Sequence, residues 1–195
     1  MRYHERKAKL SGFKFVAGVD EVGRGTLAGP VVSCAVHLKK MRFKNRIDDS
    51  KKLSRKARTL AYHELIKHCD FGIGIVNEKA IDHINILEAS KISMQRALAN
   101  LSVRADFLLI DGNMDLEVDI PSKKIIGGDS KSITIAAASI IAKVIRDRIM
   151  ELYHKVYPKY GFKFHKGYAT KTHLAAIRKF GPCSIHRLSF RPLSR

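Results

Sequence analysis

The sequence predicts an α/β fold in which helices cover both faces of a β-sheet. Short segments bounded by glycine show apolar alternation, and longer segments between and after them repeat apolar residues every three to four positions. The chain has 195 residues, 45% of them hydrophobic, which is enough for one compact domain and excludes a disordered polyelectrolyte. We expect a single domain with a core over about 13–157 and a basic C-terminal segment over about 158–195.

The predicted strands open the chain. Phe13, Phe15, Ala17 and Val19 alternate as in a half-buried strand, and a valine-rich segment follows a glycine-rich turn, which predicts a hairpin with a broad loop. Later, an unbroken apolar run before an Asp-Gly pair is typical of a fully buried strand. The predicted strands cover residues 13–20, 30–38, 71–76, 107–110 and 123–126.

The predicted helices occupy the segments between and after these strands. Ser54 is the predicted N-cap of a helix that continues through residue 66. The segment 132–157 carries two adjoining apolar stripes at helical spacing and is the strongest helical signal. The other predicted helices cover residues 78–85, 86–100 and 171–180.

The charge of the chain favours a polyanionic partner. Lys and Arg number 37 against 18 Asp and Glu, a formal net charge of +19. From Lys143 to the C-terminus the sequence has 13 Lys or Arg and only two acids, Asp147 and Glu151. Such an excess indicates a surface that lies along a phosphate backbone, with binding that weakens as salt rises.

Cysteine content and the N-terminus indicate the compartment. Cys34, Cys69 and Cys183 are far apart and contain no Cys-x-x-Cys pair, so neither a disulfide framework nor a zinc site is predicted. The N-terminus lacks an apolar signal core, and no apolar run reaches membrane-spanning length. We expect a cytoplasmic monomer without a membrane partner.

Acidic residues at the ends of predicted elements suggest a metal site. Asp20 and Glu21 follow the first alternation, and the Gly-Arg-Gly at 23–25 leaves backbone amides open to a ligand. Asp111 ends the buried strand, and Asp129 precedes the long helix. Oxygen ligands of this kind suit hard cations such as Mg²⁺ or Mn²⁺. Spacing alone does not choose between these four acids and the remaining candidates, which are Asp106, Asp115, Asp119 and Asp147.

The motifs themselves resemble those of one family. The run Gly18-Val-Asp-Glu-Val-Gly-Arg-Gly-Thr-Leu-Ala-Gly-Pro30 is similar to the first motif of the type 2 ribonucleases H, the ribonuclease HII family. Further matching blocks follow in family order over about residues 13–192. They are Asp49-Ser-Lys-Lys-Leu-Ser54, Ile84-Asn-Ile-Leu87, Leu109-Ile-Asp-Gly-Asn113, Gly128-Asp-Ser-Lys131, Ala136-Ala-Ala-Ser-Ile-Ile-Ala-Lys143, His165-Lys-Gly-Tyr-Ala-Thr170 and His186-Arg-Leu-Ser-Phe190.

The resemblance implies a ribonuclease H-like mixed sheet flanked by helices, with a helical basic C-terminal extension. It also implies which residues form the site. The catalytic and metal-binding carboxylates would be Asp20, Glu21, Asp111 and Asp129. The residues that bind the ribonucleotide and the RNA–DNA junction would be Gly23, Arg24, Gly25 and Tyr168. Thr26 departs from the family pattern, which commonly has proline there.

The resemblance further implies an endonuclease that hydrolyses the RNA strand of RNA/DNA hybrids and nicks 5′ of single ribonucleotides in duplex DNA. Two Mn²⁺ or Mg²⁺ ions would assist, leaving 5′-phosphate and 3′-hydroxyl ends. His165, His173 and His186 are expected in core or surface roles, and Lys143 is assigned no catalytic role. The alternatives are a non-catalytic nucleic-acid-binding module, a type 3 ribonuclease H and a magnesium-dependent phosphotransferase acting on small molecules.

Overall fold

A five-stranded mixed sheet forms the centre of the protein, whose computed structural model describes residues 1–194. The strands stand in the order β3-β2-β1-β4-β5. β1, β2 and β3 pair antiparallel, whereas β4 lies parallel to β1 and β5 parallel to β4. The bounds are Val16–Val22 for β1, Val31–Leu38 for β2, Cys69–Val76 for β3, Phe107–Asp111 for β4 and Ser122–Ile125 for β5.

Seven helices surround this sheet in the described part of the chain. Five of them confirm the prediction, with ends within one or two residues of the predicted ones. One of these five, the helix over 171–180, has the predicted bounds. The bounds are Tyr3–Leu10 for α1, Arg55–Leu65 for α2, Glu78–Ile84 for α3, Ile86–Ala99 for α4, Ile133–Val156 for α5, Phe162–His165 for α6 and Lys171–Phe180 for α7. Ser54 caps α2, with its side chain accepting from the Ala57 amide, as predicted.

Two apolar layers cover the sheet. On one face α5 and α2 pack against β2 residues such as Cys34 and Val36. On the other face α4 packs against Val19 and its neighbours on β1 and β4. Helices therefore cover both faces, as predicted, and the α/β architecture is confirmed.

A single glycine sets how closely α5 approaches β1. A β-carbon at Gly18 would collide with the backbone of Thr134 and Ile135 at the start of α5. The glycine lets the first turn of the helix rest directly on the strand. The same face of β1 carries Asp20 two residues later, so this contact brings the beginning of α5 to the acid pair.

The first strand differs from its prediction at both ends. It begins at Val16 rather than at residue 13, because the Asp106 carboxylate accepts hydrogen bonds from the amides of Lys14 and Phe15 (2.7 and 2.9 Å) and holds them outside the ladder. It also continues past Asp20 to Val22, since β2 pairs with Glu21 and Val22 through Ser33 and Val32. The acid pair therefore lies within the paired strand.

The sequence did not predict α1, which caps the long helix. Glu5 is buried, and its Oε1 accepts from the Ser132 hydroxyl (2.5 Å) and from the amide and hydroxyl of Thr134 (3.1 and 2.9 Å). The Ile133 amide donates to the Met1 carbonyl (2.8 Å). A carboxylate at a helix N-terminus satisfies free amides and interacts favourably with the helix dipole. An N-terminal helix thus fixes the start of α5.

The C-terminal segment folds back onto the β1–β2 loop. The amide of Leu27 donates to the Gly167 carbonyl, and the amide of Gly29 donates to the Ile185 carbonyl, both at 2.8 Å. Tyr160 and Phe162 pack with Ala28 in a small apolar cluster. The expectation that the C-terminal segment is a distinct substrate-binding part of the chain stays a prediction. Within residues 1–194, no helix has the length and apolarity needed to cross a bilayer.

Replacing Glu5 tests the importance of the N-terminal helix. We expect Glu5→Ala to lower the free energy of unfolding by about 1–2 kcal/mol, because it leaves buried donors of Ser132 and Thr134 unpaired. Urea denaturation measures the effect. Glu117→Ala, at an exposed position, is the control and should change stability by less than about 0.5 kcal/mol. Equal effects of the two variants would contradict the capping role.

Candidate active site

The acid pair Asp20 and Glu21 lies on the central strand of the sheet. Asp20 is 5% exposed, and the Glu21 side chain is 10% exposed. Asp20 Oδ1 accepts from the Glu21 amide at 2.7 Å. Two adjacent carboxylates in a buried strand are costly unless an opposite charge compensates them. The pair is therefore a candidate functional site rather than a stabilising feature of the core.

Asp111 reaches the same end of the sheet because β4 runs parallel to β1. Ile110 is in register with Val19, so Asp111 lies next to the acid pair. Its Oδ1 accepts from the Gly128 amide at 2.6 Å. That bond ties Asp111 to the 3₁₀ turn Gly128–Ser130, which carries Asp129. Three separate segments thus bring the four predicted carboxylates to one edge of the sheet.

The electrostatics show that these acids interact. Burial raises the pKa of Asp20 well above its usual range, and the charges of Glu21 and Asp111 raise it further. Burial also raises the pKa of Glu21, against the opposing effect of Arg24. For Asp129 the causes are burial and then the charges of Asp49 and Asp111, which together raise its pKa. The site thus concentrates more negative charge than its own basic residues neutralise.

The loop 49–52 adds residues that the sequence analysis quoted but gave no role. Lys51 Nζ lies 3.6 Å from Asp129 Oδ2, and Lys52 Nζ donates to the Ser130 hydroxyl at 2.9 Å. The Ser50 hydroxyl is 2.9 Å from that of Ser139 on α5. A lysine pair in a short polar motif does not reveal such a contact without the fold, because the loop and the 3₁₀ turn are far apart in sequence.

The donor set fits a hard divalent cation. All four side chains offer carboxylate oxygens, and Glu21 Oε2 is buried without a hydrogen-bond partner. In the described part of the chain, however, no three His, Cys, Asp or Glu side chains stand close enough to enclose an ion. Arg24 holds Glu21 Oε1 at 3.2 Å, and the Gly128 amide holds Asp111. Metal ligation by all four acids therefore stays a prediction.

Three of the four competing acids are engaged elsewhere. Asp106 holds the amides before β1, Asp115 pairs with Lys124 at 2.5 Å, and Asp147 pairs with Lys143 at 2.7 Å. Asp119 is exposed in the segment between β4 and β5. Local geometry thus separates Asp20, Glu21, Asp111 and Asp129 from the others, which periodicity could not do.

The glycine-rich loop is held from beneath by two buried arginines. Arg187 donates to the carbonyls of Gly23, Arg24 and Gly29 at 2.6–3.0 Å. Arg146 donates to the carbonyls of Pro30 and Ala28 and to the Thr26 hydroxyl at 2.8–3.0 Å. Both arginines are 0% exposed. Since guanidinium groups occupy the inner carbonyls, the loop is fixed without a regular strand.

The reason for glycine differs between the two loop positions. Gly23 has φ +94°, and a β-carbon there would collide with Arg146 Nε, so packing inside the protein requires it. The missing side chain of Gly23 thus accommodates Arg146, and contact of its backbone with a ligand stays a prediction. At Gly25 a β-carbon would meet nothing within 4 Å, so the backbone there is open to an approaching ligand. The Arg24 side chain between them is 45% exposed.

Thr26 secures the loop where the family pattern commonly has proline. Its side chain is fully buried, and its hydroxyl donates to the Gly23 carbonyl at 3.1 Å while accepting from Arg146. A hydroxyl held between two partners restrains the turn in place of a pyrrolidine ring. The departure from the pattern therefore does not leave the loop loose.

Tyr168 lies on the turn after α6, next to this loop. It is 41% exposed, and Lys143 Nζ lies 5.7 Å from the centre of its ring. Burial lowers the pKa of Lys143, whose ammonium also bonds to Asp147. The turn and the loop are joined through the bond from the Leu27 amide to the Gly167 carbonyl. His165, His173 and His186 are buried behind Tyr168, as expected for core roles.

Comparisons with known proteins agree on one family. A family model described as Ribonuclease HII matches residues 17–192. Ribonuclease HII of Chlamydia caviae is 56% identical over 191 residues, covering 97% of this chain and 90% of that protein. The crystal structure of ribonuclease H2 from Pyrococcus horikoshii has a TM-score of 0.78 at 26% identity, covering 92% of this chain and 95% of that one. Bst-RNase HIII in complex with Mn²⁺ shares the fold, with a TM-score of 0.69 at 17% identity, covering 92% of this chain and 68% of that one.

Removing one charge from the acid cluster should stabilise the metal-free protein. Because the pKa of Asp20 is higher in the folded than in the unfolded state, its contribution to stability is complete below the unfolded pKa and is lost as pH rises through the folded pKa. We therefore expect Asp20→Asn, measured in chelator over a series of pH values, to raise the thermal midpoint at the alkaline end and to reduce the stability lost as pH rises through the folded pKa of Asp20. Asp115→Asn, at an exposed position, is the control. A lower midpoint for Asp20→Asn would refute the repulsion.

Proposed function

Since the chain belongs to the ribonuclease HII family, whose members cleave the RNA strand of RNA/DNA hybrids internally, we propose that it also nicks duplex DNA 5′ of a single embedded ribonucleotide. The membership confirms the resemblance seen in the motifs and the ribonuclease H-like fold. The proposed products carry 5′-phosphate and 3′-hydroxyl ends. The proposed catalytic residues are Asp20, Glu21, Asp111 and Asp129.

One observation carries this proposal: four carboxylates gather at a sheet edge where burial and mutual repulsion raise the pKa of Asp20. A binding module for nucleic acid gains nothing from such a cluster, because acids repel phosphate unless a cation intervenes. The cluster also lies beside a loop with an open backbone at Gly25. Acids, loop and exposed Arg24 together support hydrolysis of a phosphodiester.

The cation in this proposal is Mn²⁺ or Mg²⁺, two per site, held by Asp20, Glu21, Asp111 and Asp129. Such ions activate water as a nucleophile and stabilise charge that develops on the leaving oxygen. A solved structure of the same fold, Bst-RNase HIII, is a complex with Mn²⁺, which supports divalent-metal dependence.

The protein's own residues prepare this site. The Gly128 amide occupies Asp111 Oδ1 and leaves Oδ2 as the ligand. Arg24 holds Glu21 Oε1 and favours its ionised form, which leaves Oε2 as the ligand. Lys51 lies against Asp129 and is well placed to contact a phosphate oxygen as well. These contacts orient the carboxylates before substrate arrives, which lowers the cost of ordering them later.

Selection of the ribonucleotide requires sensing its 2′-hydroxyl, which distinguishes RNA from DNA at one nucleotide. We assign this to the backbone of the Gly23–Gly25 loop, which Arg146 and Arg187 hold rigid through its carbonyls and the Thr26 hydroxyl. Arg24 can hold a phosphate bidentately. Tyr168 offers an exposed ring face to pack against a sugar next to the ribonucleotide.

Basic side chains next to the acid cluster suit the flanking phosphates. Arg55, Arg58 and Arg148 line a cavity of about 220 Å³ between α2 and α5, together with Asp147 and Glu151, which pair with Arg58 and Arg55. Arg58 also donates to the Ser50 carbonyl at 2.6 Å, next to Lys51. The cavity therefore adjoins the loop that contacts Asp129. The net charge of the whole chain is +19, which supports nucleic acid as its partner. We propose that the enzyme acts as a monomer.

Cleavage of defined duplexes tests the function. A DNA duplex with one ribonucleotide, a long RNA/DNA hybrid and an all-DNA duplex are incubated with Mg²⁺, with Mn²⁺ or with chelator. We expect a metal-dependent nick 5′ of the ribonucleotide, cutting within the hybrid and no cutting of DNA. Cutting of the hybrid alone would indicate type 3 specificity. Asp20→Asn should abolish cleavage but keep binding, and a fully active Asp20→Asn would remove Asp20 from the site.

Tyr168→Ala tests the selection of single ribonucleotides. We expect it to reduce kcat/KM about tenfold or more on the single-ribonucleotide duplex and less on the long hybrid, because the hybrid offers many alternative registers. Tyr168→Phe separates the ring from the hydroxyl. Tyr3→Ala, at an exposed position on α1, is the control and should match the unmodified protein. Equal losses on both substrates would mean that Tyr168 only supports the fold.

A further inference from the structure

Three histidines of the C-terminal segment form a buried cluster directly behind Tyr168. His165, His173 and His186 are 8%, 0% and 3% exposed. The His165 and His173 rings stack with centroids 4.3 Å apart, and the His173 and His186 centroids are 5.2 Å apart. Buried imidazoles need a hydrogen-bond partner at each nitrogen, so their partners reveal the protonation of each ring.

The contacts of His173 and His186 allow one pair of neutral tautomers. The Tyr168 carbonyl lies 2.9 Å from His173 Nδ1 and can only accept, so Nδ1 carries the proton and Nε2 is bare. His186 Nε2 lies 3.1 Å from His173 Nε2 and must therefore donate. His186 Nδ1 is then bare, and it accepts from the Cys183 amide at 2.9 Å and faces the Cys183 thiol at 3.1 Å. The Cys183 carbonyl also lies near, at 3.2 Å, but a proton on Nδ1 would leave two bare nitrogens opposite each other between the rings. A continuous chain of donors runs from Cys183 through both rings to the backbone of Tyr168.

His165 has a single tautomer for the same reason. Its Nε2 donates to the Tyr160 carbonyl at 2.7 Å, and its Nδ1 accepts from the Gly167 amide at 3.2 Å. The Tyr168 amide donates to the His165 carbonyl at 2.9 Å. Histidines therefore bond to the amide and the carbonyl of Tyr168 and to the amide of Gly167, and the Thr170 amide also donates to the Tyr168 carbonyl at 2.8 Å.

These bonds fix a turn that would otherwise be unfavourable. Lys166 has φ 52° and Gly167 has φ 88°, both in the left-handed region. A non-glycine residue there carries a conformational cost that surrounding contacts must offset. Arg146 donates a hydrogen bond to the Lys166 carbonyl at 2.8 Å, and the Leu27 amide donates one to the Gly167 carbonyl. With the backbone of the turn bonded in this way, its tyrosine ring is directed outward.

We infer that His173 and His186 are positioning residues that hold the Tyr168 ring in place through a relay of neutral imidazoles ending on the Tyr168 carbonyl. The inference rests on the proposed role of Tyr168 in selecting the ribonucleotide. His186 is followed by Arg187, which binds the carbonyls of Gly23 and Arg24. The dipeptide 186–187 therefore sets the spacing between Tyr168 and the glycine-rich loop.

Protonation would break the relay. A proton on His173 Nε2 would place two N–H groups opposite each other across the contact with His186. Burial lowers the pKa of His173 to about 4 and also lowers those of His165 and His186. The neighbouring titratable and charged groups are Tyr160, Tyr168, Cys183, Lys166 and His154. The charge of Lys166 opposes protonation of His165 as well, and the relay stays intact above the lowered pKa of His173.

Two substitutions at His173 separate positioning from packing. The amide nitrogen of asparagine reaches the place of Nδ1 and can donate to the Tyr168 carbonyl, whereas that of glutamine reaches the place of Nε2. We expect His173→Gln to lower kcat/KM about tenfold on the single-ribonucleotide duplex and less than about threefold on the long hybrid. His173→Asn should keep most of the kcat/KM that His173→Gln loses on the single-ribonucleotide duplex. In the Tyr168→Ala background His173→Gln should add little, since the ring it positions is gone.

The controls distinguish failure of the relay from failure of the Tyr168 role. His83→Gln, at an exposed position on α3, should behave as the unmodified protein. If Tyr168→Ala shows no preference between substrates, the Tyr168 role is wrong. If it shows the preference but His173→Gln does not, or if asparagine and glutamine cause equal losses on both substrates, positioning by the relay is wrong.

Nitrogen-15 NMR of the histidine rings tests the relay without any activity assay. We expect a proton on Nδ1 of His173 and on Nε2 of His165 and His186, with the His173 ring remaining neutral from pH 8 to 6. A His173 ring protonated on Nε2, or charged at pH 6, would overturn the inference even if the glutamine variant fails to fold.

Discussion

The repulsion among buried carboxylates is the constraint around which this protein is arranged. Asp20 sits in the centre of the sheet with its pKa raised by burial and by Glu21 and Asp111. Few cations compensate it from within the chain. Arg24 faces only Glu21, and Lys51 faces Asp129 at 3.6 Å. The remaining structure keeps these acids together by backbone means: the parallel pairing of β1 with β4, the amide of Gly128 and the close approach of α5 at Gly18.

Two buried arginines place positive charge near the acids without pairing to a carboxylate. Arg146 and Arg187 are fully buried, yet their hydrogen bonds go to backbone carbonyls and the Thr26 hydroxyl rather than to a carboxylate. A carbonyl carries only a partial charge, so each guanidinium keeps most of its field while its donors are satisfied. Burial accordingly lowers the pKa of Arg146 to about 10 and that of Arg187 to about 9. The glycine-rich loop thus lies between a negative site and a positive support, an arrangement that agrees with the proposed binding of a phosphodiester.

Much of the fold could be predicted from local sequence, and most of the site could not. Alternation and apolar stripes indicated the strands and long helices, because tertiary contacts there follow the periodicity. The helix α1 was missed because its eight residues are mostly polar, and Glu5 stabilises it only through contacts at the start of α5. The four acids could be singled out only by the family motifs, since Asp106, Asp115 and Asp147 look alike in sequence. The different hydrogen-bond partners of these two groups of acids are seen only in the folded structure.

The two halves of the site depend on each other through the C-terminal segment. The sheet edge holds the carboxylates, whereas Tyr168 belongs to a turn that the chain reaches more than fifty residues after Asp111. Nothing in the sheet fixes their separation. It is set by contacts of the C-terminal segment. His186 forms an isolated β-bridge with Ala28 on the loop, its side chain bonds to His173, and the Arg187 side chain donates to the Gly23 carbonyl. Under the proposed function, substrate selectivity would therefore depend on a short segment held by buried hydrogen bonds, and it could be lost while the carboxylates stay in place.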